Sequence, residues 1–363
     1  MYDTLFLLKR DFYVLLEEKV LQIMRGEKKS PLLQSLLAVL SQGYRAGIFL
    51  RNKGYDHHLL PSFRLTKTVI SIGNVATCGT GKTPFTHLLA SLLSSQVELA
   101  ILTRGFKSAI ERSGDNQQIP CLSMASAEKY GDEPLLLARK TKLPVWVGAD
   151  RVKSGNLAIQ AGANCLLLDD GMQHRRLHRD IEIVLVDGKD PLSKNRFLPY
   201  GFLRDSLSRF KTATVVVATH IQDKTHYNRV KTLLAPFSSA PLIGVRTQVL
   251  NPPLPPAKVG VFCGIGQPER FLQTVRDLNQ EIVDTLICKD HEIPQVGQLE
   301  LFARQCLAKG AKALLCTEKD AVKLSLPLSL DLPIIPIEIG LEIVEGESHL
   351  QQLIETIVKK VKS

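Results

Sequence analysis

The chain has 363 residues, of which 44% are hydrophobic and 23% are charged, as in ordinary globular proteins. This length exceeds that of one typical domain, so we expect two. The formal net charge is +10, and such an excess suits nucleic acid, an anionic membrane surface or an acidic substrate. No zinc-finger, helix-turn-helix or RNA-binding motif accompanies the charge, so we expect no nucleic-acid partner. The seven cysteines form no CxxC pair, which argues against a cysteine metal site and predicts reduced thiols.

Residues 1–67 are predicted to form an amphipathic helical segment. Apolar residues recur at helical spacing at 5–24 and again at 31–50. The second stretch is too polar to span a bilayer. Basic residues flank its apolar face, which suits a helix lying in a membrane interface, although packing on the protein core explains the pattern equally well. That face contains Leu33, Leu36, Leu37, Leu40, Tyr44 and Ile48.

The stretch from Thr68 to Leu93 is the most informative part of the chain. Its first six residues predict a buried strand, and leucines at helical spacing near its end predict a helix. A glycine-rich loop ending in Gly-Lys-Thr lies between them, and this order is that of a phosphate-binding P-loop. The predicted nucleotide-binding residues are Ala76, Thr77, Cys78, Gly79, Thr80, Gly81, Lys82 and Thr83. Ala76 stands at a position that is normally glycine.

The residue types in this loop match the chemistry of phosphate binding. Glycines let backbone N–H groups surround phosphate oxygens, and the new helix adds the positive end of its dipole. Lys82 can reach the β and γ phosphates, and the hydroxyl of Thr83 can bind Mg²⁺. We therefore predict a nucleotide site with a magnesium ion.

A second motif, CLLLDDG at 165–171, predicts an apolar strand that ends in two acids. In a P-loop protein an aspartate at this position holds Mg²⁺ directly or through water, so Asp169 and Asp170 are metal-site candidates. Further predicted strands alternate with helices. This order favours a parallel sheet covered on both faces, with its site at the C-terminal ends of the strands. A polar stretch at 107–118 is predicted to be a surface loop.

The fold class is therefore predicted to be α/β. We expect a P-loop NTPase-like parallel-sheet domain at 68–240, a linker at 241–257 and a smaller α/β domain at 258–363, besides the N-terminal amphipathic helix. The linker is identified by the sequence NPPLPP at 251–256.

Three further features have ordinary structural explanations when the residues are considered alone. Asp132 stands at a predicted helix start, where carboxylates favour the helix dipole. Asp290-His291 precedes another predicted helix and suits a local cap, and Arg204-Asp205 suits a surface salt bridge.

Taken together, nine short segments resemble the tetraacyldisaccharide 4′-kinase family, the membrane-associated kinases of lipid A biosynthesis. They occur in the family's order and cover roughly residues 31–325, so the combination is specific although each segment alone is weak. The segments are GNVATCGTGKTP, TRGF, GDEP, GADR, LLLDDGMQH, LPYGFLRD, FCGIGQPERF, DH and TEKDAVKL.

The resemblance implies ATP-dependent phosphorylation, with Mg²⁺, of the 4′-hydroxyl of tetraacyldisaccharide 1-phosphate, which gives lipid IV-A. By the family pattern, Asp132 is the catalytic base and His291 is its partner. Arg151 and Arg204 would surround the reacting phosphates together with Lys82. The metal site implied by the resemblance is formed by Thr83, Asp169, Asp170 and Asp205, the last standing where the family usually has glutamate.

The resemblance also implies a peripheral or monotopic protein on the cytoplasmic face of the inner membrane of a Gram-negative-type bacterium. The helix at 31–50 would bring the site within reach of the substrate headgroup, and the basic surplus would favour anionic lipid. If His291 lies in the second domain, closure of the domains would complete the site and exclude water. We expect a monomer.

Two other classes of function stay open on the residues alone. One is a soluble P-loop kinase or ligase for a small molecule, and the other is a nucleotide-dependent switch or metallochaperone NTPase. The apolar N-terminal helix argues against the soluble enzyme. A GTPase switch should carry a guanine-binding NKxD motif, which TEKD at 317–320 resembles only loosely.

Overall fold

The computed structural model describes residues 19–77, 79–120, 125–324 and 330–363. Most of the helix predicted at 5–24 lies outside these residues. The described strands are β1 (Thr68–Asn74), β2 (Leu99–Thr103), β3 (Asn116–Gln118), β4 (Val145–Gly148), β5 (Cys165–Asp169), β6 (Ile181–Asp187), β7 (Val215–Thr219), β8 (Leu242–Val249), β9 (Lys258–Cys263), β10 (Glu281–Ile287), β11 (Ala313–Thr317), β12 (Ile334–Ile337) and β13 (Ile339–Glu345). The helices named here are α1 (Pro31–Asp56), α2 (Lys82–Leu93), α3 (Ala109–Ser113), α4 (Ala127–Tyr130), α5 (Asp132–Thr141), α6 (Arg151–Gln160), α7 (Lys224–Leu234), α8 (Pro268–Asp277), α9 (Val296–Ala308), α10 (Glu318–Ala321) and α11 (Glu347–Lys362).

Helix α1 confirms the predicted amphipathic helix and continues past its predicted end at residue 50. It begins at Pro31, where the missing N–H of proline is not needed for a helical hydrogen bond. Its buried residues are Leu37, Ser41, Ile48 and Asn52. Other apolar side chains of the same helix stay at the surface. Within the described ranges, no helix is both long enough and apolar enough to cross a bilayer.

Nine of the described strands form a large sheet in the order β13-β8-β7-β6-β1-β5-β2-β4-β3. From β8 to β4 neighbouring strands are parallel, while the edge strands β13 and β3 are antiparallel to their neighbours. Strand β1 is buried along its whole length, and its adjacent residues Val69 and Ile70 pack into different core clusters. Burial on both faces explains why the inner strands are almost continuously apolar. The predicted fold class is confirmed.

A close approach between strand β1 and the turn after β5 fixes the edge of the large sheet where β1 ends. A Cβ atom on Gly73 would lie 2.3 Å from Cβ of Met172, so only glycine fits at this point of β1. This contact brings the end of β1 against the turn that follows β5. The phosphate loop and the acidic pair are thereby held side by side.

The remaining four described strands form a small parallel sheet in the order β10-β9-β11-β12. Adjacent residues Val261 and Phe262 of β9 again pack into different core clusters, one on each face. Helix α8 supplies Phe271 and Val275 to one of these clusters, and helix α9 supplies Phe302 to the other. The predicted second α/β unit is therefore present.

The structure divides the chain differently from the predicted boundaries. Strand β8 lies within the predicted linker at 241–257, yet it pairs with β7 in the large sheet. Strand β13 pairs antiparallel with β8, and helix α11 packs Leu350, Leu353 and Ile357 into the core beneath that sheet. The part of the chain that forms the small sheet thus ends near residue 337, whereas the predicted C-terminal domain extends to residue 363. The predicted surface loop at 107–118 also contains helix α3 and strand β3.

Candidate active site

The phosphate loop leaves the C-terminal end of β1, which lies between β5 and β6. Gly81 has a φ of +72°, a left-handed conformation that glycine adopts without strain, and it precedes helix α2 as its N-cap. Lys82 and Thr83 are the first two residues of that helix. Thr80 is buried, and its Oγ1 accepts a hydrogen bond from Asn74 Nδ2 at 2.7 Å. The strand, loop and helix therefore follow the predicted order.

The first residues of the loop pack against the segment that precedes Arg204. Ala76 forms an isolated bridge with Leu203, and the N–H of Thr77 donates to the carbonyl of Phe202 at 2.9 Å. Thr77 and Gly79 are exposed, so a ligand can approach the backbone of the loop. Residue 78, predicted to line the loop, lies outside the described residues.

The predicted acidic pair lies beside the phosphate loop. Lys82 Nζ is 3.7 Å from Asp170 Oδ1. Thr86 Oγ1, in the second turn of α2, donates to Asp169 Oδ1 at 2.9 Å. Asp170 adopts a φ of +53°, an uncommon conformation that turns the chain directly after β5. The structure therefore brings together the P-loop lysine and both acids.

The two carboxylates differ in their electrostatic surroundings. Burial, followed by the charges of Glu133 and Asp170, raises the pKa of Asp169 to about 7. Burial also acts to raise the pKa of Asp170, but the charges of Lys82 and Arg204 outweigh it and hold that pKa well below its usual range. Asp169 is thus a buried carboxylate with a neutral hydrogen-bond donor, Thr86, as its partner. A divalent cation would stabilise its charged form, so the residues present fit a Mg²⁺ ion.

Arg204 connects the acidic pair to the end of β1. Its Nη1 donates to Asp170 Oδ2 at 2.9 Å, and its Nη2 contacts both Asp170 and Asn74. Its backbone N–H donates to the carbonyl of Val75 at 2.8 Å. The guanidinium group of Arg204 is therefore fixed between the acidic pair and the end of β1, from which the phosphate loop leaves.

Arg151 is the first residue of helix α6. It is buried, and its Nη1 donates to the carbonyl of Gly148 at 3.0 Å. Burial and the charge of Arg104 lower the pKa of Arg151 to about 10, against the opposing effect of Asp170, so the side chain stays charged at neutral pH. A buried cation close to the acidic pair is suited to balance phosphate charge.

Asp205 has surroundings that differ from those of the other predicted metal ligands. It is fully buried, and its Oδ1 accepts hydrogen bonds from Asn52 Nδ2 and the N–H of Ser206, both at 2.8 Å. Its Oδ2 lies 3.4 Å from an Arg51 nitrogen. In the part of the chain that the structure describes, no three His, Cys, Asp or Glu side chains are grouped to hold a metal ion. The carboxylate of Asp205 instead joins helix α1 to the Arg204 loop.

A separate pair of side chains joins the large and small sheets. Asp132 is the first residue of helix α5, and its Oδ2 lies 2.9 Å from Nδ1 of His291. His291 follows β10 of the small sheet and has a φ of +71°, an uncommon conformation for a residue with a side chain. The structure thus brings together two residues that are 159 positions apart in the sequence.

The contact between Asp132 and His291 shifts their pKa values in opposite directions. Burial acts to raise the pKa of Asp132, but the hydrogen bond from His291 and the charges of Lys319 and Lys323 outweigh it and hold the pKa at about 2. The hydrogen bond to Asp132 raises the pKa of His291, against the effect of burial. Because the groups share one hydrogen bond, they titrate as a coupled pair.

These shifts predict a pH-dependent stabilisation of the contact between the two sheets. The pKa of Asp132 is lowered from 3.8, so its contribution is present above pH 3.8 and is lost as the pH falls through about 2. The pKa of His291 is raised from 6.5, so its contribution is present below pH 6.5 and is lost as the pH rises through the raised value. The charged pair therefore stabilises the contact fully between pH 3.8 and pH 6.5.

We expect His291→Gln to destabilise the protein by about 1–2 kcal/mol at pH 5 and by clearly less at pH 9, because glutamine keeps a hydrogen bond but carries no charge. Thermal unfolding of wild type and variant at both pH values measures the difference. An equal loss at pH 5 and pH 9 would contradict the charged pair.

Several residues at the site were not predicted from the sequence. Thr86 donates a hydrogen bond to Asp169, and the charges of Lys319 and Lys323 lower the pKa of Asp132. Both lysines belong to the TEKDAVKL segment, to which the sequence assigns no role. Asp187, His220 and Arg270 form a further cluster that joins β6, the end of β7 and helix α8. Their positions depend on contacts between distant parts of the chain, which local patterns do not encode.

A parallel α/β sheet with a P-loop on its central strand and an acidic pair on the neighbouring strand defines a P-loop phosphotransferase. The partly buried Asp132–His291 pair supplies a candidate base for an acceptor hydroxyl. The model of the family described as "Tetraacyldisaccharide-1-P 4'-kinase" matches residues 33–359. The chain belongs to this kinase family, as predicted.

Comparisons with individual proteins agree with this family membership. A tetraacyldisaccharide 4′-kinase of Syntrophus aciditrophicus (strain SB) is 35% identical over 349 residues, which cover 88% of this chain and 92% of the relative. Another, from Chlamydia pneumoniae, is 36% identical over 318 residues, covering 82% of this chain and 84% of the relative. The fold is similar to that of LpxK from Aquifex aeolicus, solved in complex with ATP. The TM-score is 0.70 with 28% identity, over 90% of this chain and 99% of that one.

Proposed function

We propose that this protein transfers the γ-phosphoryl group of ATP to the 4′-hydroxyl of tetraacyldisaccharide 1-phosphate. The product is the 1,4′-bisphosphate, lipid IV-A. The observation that carries the proposal is the Asp132–His291 contact in a chain of this kinase family whose Lys82 lies against Asp170. Each group assigned a role here comes from one chain, so a monomer is sufficient.

ATP binding is assigned to the phosphate loop and its cations. Backbone N–H groups of the loop and the start of α2 would surround the phosphates. Lys82 would contact the β and γ phosphates, and Arg151 and Arg204 would balance the charge on the transferred group. Thr83, Asp169 and Asp170 would hold Mg²⁺, which neutralises charge on the phosphate oxygens when it is bound. Asp205 is assigned to anchoring helix α1, because its oxygens are engaged by Asn52, Ser206 and Arg51.

The acceptor side of the reaction is assigned to Asp132. Its carboxylate would accept the proton of the 4′-hydroxyl as the oxygen forms its bond to the γ phosphorus and the bond to the β–γ bridging oxygen breaks. His291 orients this carboxylate through its hydrogen bond and shares the charge of the transferred proton. Since Asp132 begins a helix that packs on the large sheet and His291 follows a strand of the small sheet, the base is complete only when these two parts are in contact, which would limit wasteful hydrolysis of ATP.

Helix α1 is proposed to rest in the interface of the inner membrane, on its cytoplasmic face. Leu32, Val39 and Leu50 are 87%, 70% and 68% exposed, although each is large and apolar. The opposite face of the helix reaches the site, because Tyr44 donates to the carbonyl of Arg204 and Asn52 donates to Asp205. A helix with one face in lipid and the other on the Arg204 loop would bring the reacting groups to the substrate headgroup.

The proposed reaction is tested with γ-³²P-labelled ATP, Mg²⁺ and tetraacyldisaccharide 1-phosphate in mixed detergent micelles. Transfer of the label to the lipid, dependent on the acceptor and on Mg²⁺, would support the proposal. Hydrolysis of ATP without transfer would overturn the assigned acceptor and favour a soluble P-loop kinase or a nucleotide-dependent switch.

We expect a triple variant, Leu32→Ser, Val39→Ser and Leu50→Ser, to bind anionic vesicles about 10- to 100-fold more weakly than wild type, because three apolar side chains no longer enter the interface. Co-sedimentation with phosphatidylglycerol-containing vesicles measures this. Leu301→Ser is the control, since this leucine is 58% exposed on helix α9 of the small sheet. Unchanged binding of the triple variant would contradict the membrane role of α1.

A further inference from the structure

The residues 317–323, here called the TEKDAVK segment, link the small sheet to the helix that carries Asp132. The segment follows β11 and includes the short helix α10. Lys319 contacts Glu133, and Lys140 Nζ lies 2.9 Å from Glu318 Oε1. Both contacts cross from the segment to helix α5. The segment therefore adjoins the proposed base, although neither the sequence nor the proposed reaction gives it a role.

Two lysines of this segment place their charge near Asp132, and Lys323 is the one that forms an ion pair with it. Its side chain is only 6% exposed, and its Nζ lies 3.9 Å from Asp132 Oδ2. The same Nζ donates to Asp320 Oδ1 at 2.9 Å and to the carbonyls of Gly264 and Glu292, each at 3.4 Å. A buried ammonium group with these partners is held in one position.

The partners of Lys323 are the groups that fix the backbone around His291. The N–H of His291 donates to the carbonyl of Gly264 at 3.1 Å, and Glu292 is the next residue. Gly264 is itself fixed, because its N–H donates to the fully buried Asp320 at 3.1 Å. A Cβ atom on Gly264 would lie 1.9 Å from the Glu292 carbonyl oxygen, so the segments that follow β9 and β10 are in close contact.

We propose that Lys323 is a positioning residue for phosphoryl transfer. It joins the two backbone segments that present His291 and at the same time places a positive charge beside the carboxylate of Asp132. It does not touch the reacting atoms; it acts through Asp132 and His291. The proposal rests on the proposed function in so far as Asp132 is the base of that reaction.

The chain offers a matched control in Lys140. Its side chain is 16% exposed and ion-paired with Glu318, and its Nζ also donates to the carbonyl of Ile339 at 3.0 Å. It therefore belongs to the same interface between helix α5 and the TEKDAVK segment. Lys140 thus contacts Glu318 and Ile339, whereas Lys323 contacts Asp132 and the segments around His291. A purely structural role for these lysines predicts the same outcome for Lys140→Met and Lys323→Met.

The experiment compares wild type, Lys323→Met, Lys323→Arg and Lys140→Met. We expect Lys323→Met to lower kcat by about 10- to 100-fold, because the base and its partner are displaced. The KM for ATP should stay within about twofold. Lys140→Met should keep the wild-type kcat even where its thermal midpoint falls. Lys323→Arg should recover part of the lost kcat, because it keeps the charge, and it serves in place of Lys323→Met if that variant does not fold.

A second measurement does not depend on the acceptor. The side-chain carboxyl of Asp132 is titrated by NMR in protein labelled with ¹³C at aspartate. Without the charge of Lys323, the pKa of Asp132 should rise above that in wild type and in Lys140→Met, while the hydrogen bond from His291 and the charge of Lys319 remain. An unchanged titration, or an equal loss of kcat in the Lys323→Met and Lys140→Met proteins, would overturn the proposal. If wild type transfers no phosphate to the lipid, the proposed function fails, while the titration still decides the position of Lys323.

Discussion

Replacement of Asp132 by asparagine is expected to lower kcat for lipid phosphorylation by about 10²- to 10⁴-fold. The amide has almost the shape of the carboxylate and keeps a hydrogen bond with His291, but it cannot accept the proton of the 4′-hydroxyl. The KM for ATP should change little, because Asp132 begins helix α5 whereas the phosphate loop follows strand β1. Initial rates at saturating ATP and lipid measure the effect.

Asp180→Asn is a suitable control for this substitution. Asp180 is also largely buried, and its Oδ2 accepts a hydrogen bond from the N–H of Val69 at 2.9 Å. It precedes β6 and contacts the N-terminal part of β1, so it lies at the opposite end of these strands from the site. We expect this variant to keep the wild-type kcat. Near-normal turnover by Asp132→Asn would remove Asp132 from the role of base.

The features that were predicted from the sequence are those in which the contacting residues are near one another along the chain. Strand β1, the phosphate loop and helix α2 are consecutive, so the pattern of residues identifies the whole motif. The acidic pair at the end of β5 was predicted for a similar reason, because the alternation of strands and helices implies a parallel sheet. In such a sheet the C-terminal ends of neighbouring strands meet at one edge.

The features that were missed depend on contacts between distant segments. On the residues alone, Asp132 suited a helix start and Asp290-His291 suited a local cap; only the family resemblance paired Asp132 with His291. The return of β13 to the large sheet was not predicted, since its pairing with β8 spans about ninety residues and leaves no local pattern. The same applies to Lys323, whose position beside Asp132 follows from the way the small sheet packs on helix α5.

The sequence also left open which face of helix α1 is buried. The predicted apolar face contains Leu37 and Ile48, which are buried, but also Leu36 and Leu40, which are 55% and 52% exposed. Packing on the core and exposure at the surface, which the sequence presented as alternatives, are thus both present on one helix. The buried stripe is completed by Asn52, whose hydrogen bond to Asp205 anchors the helix. A polar anchor of this kind is invisible to an apolar pattern.

Lys82→Met is expected to lower kcat/KM for lipid phosphorylation by about 10³-fold, because the charge that would contact the β and γ phosphates is removed. Methionine has nearly the same length and shape, so the start of helix α2 should be preserved. Asp170 stays paired with Arg204 in this variant, which keeps the acidic pair from being left uncompensated. Initial rates, together with ATP binding by calorimetry, measure the loss.

The two catalytic variants should also differ in their hydrolysis of ATP without lipid. Asp132→Asn removes a group that serves the acceptor, so slow transfer to water should persist. Lys82→Met removes a group that serves the phosphates, so transfer to lipid and to water should fall together. Lys224→Met is the control, because this lysine is 75% exposed and paired with Glu345 on the surface. If Lys82→Met kept its hydrolysis while losing transfer to lipid, the assignment of Lys82 to the phosphates would be wrong, and the division of the site into a nucleotide side and an acceptor side would have to be redrawn.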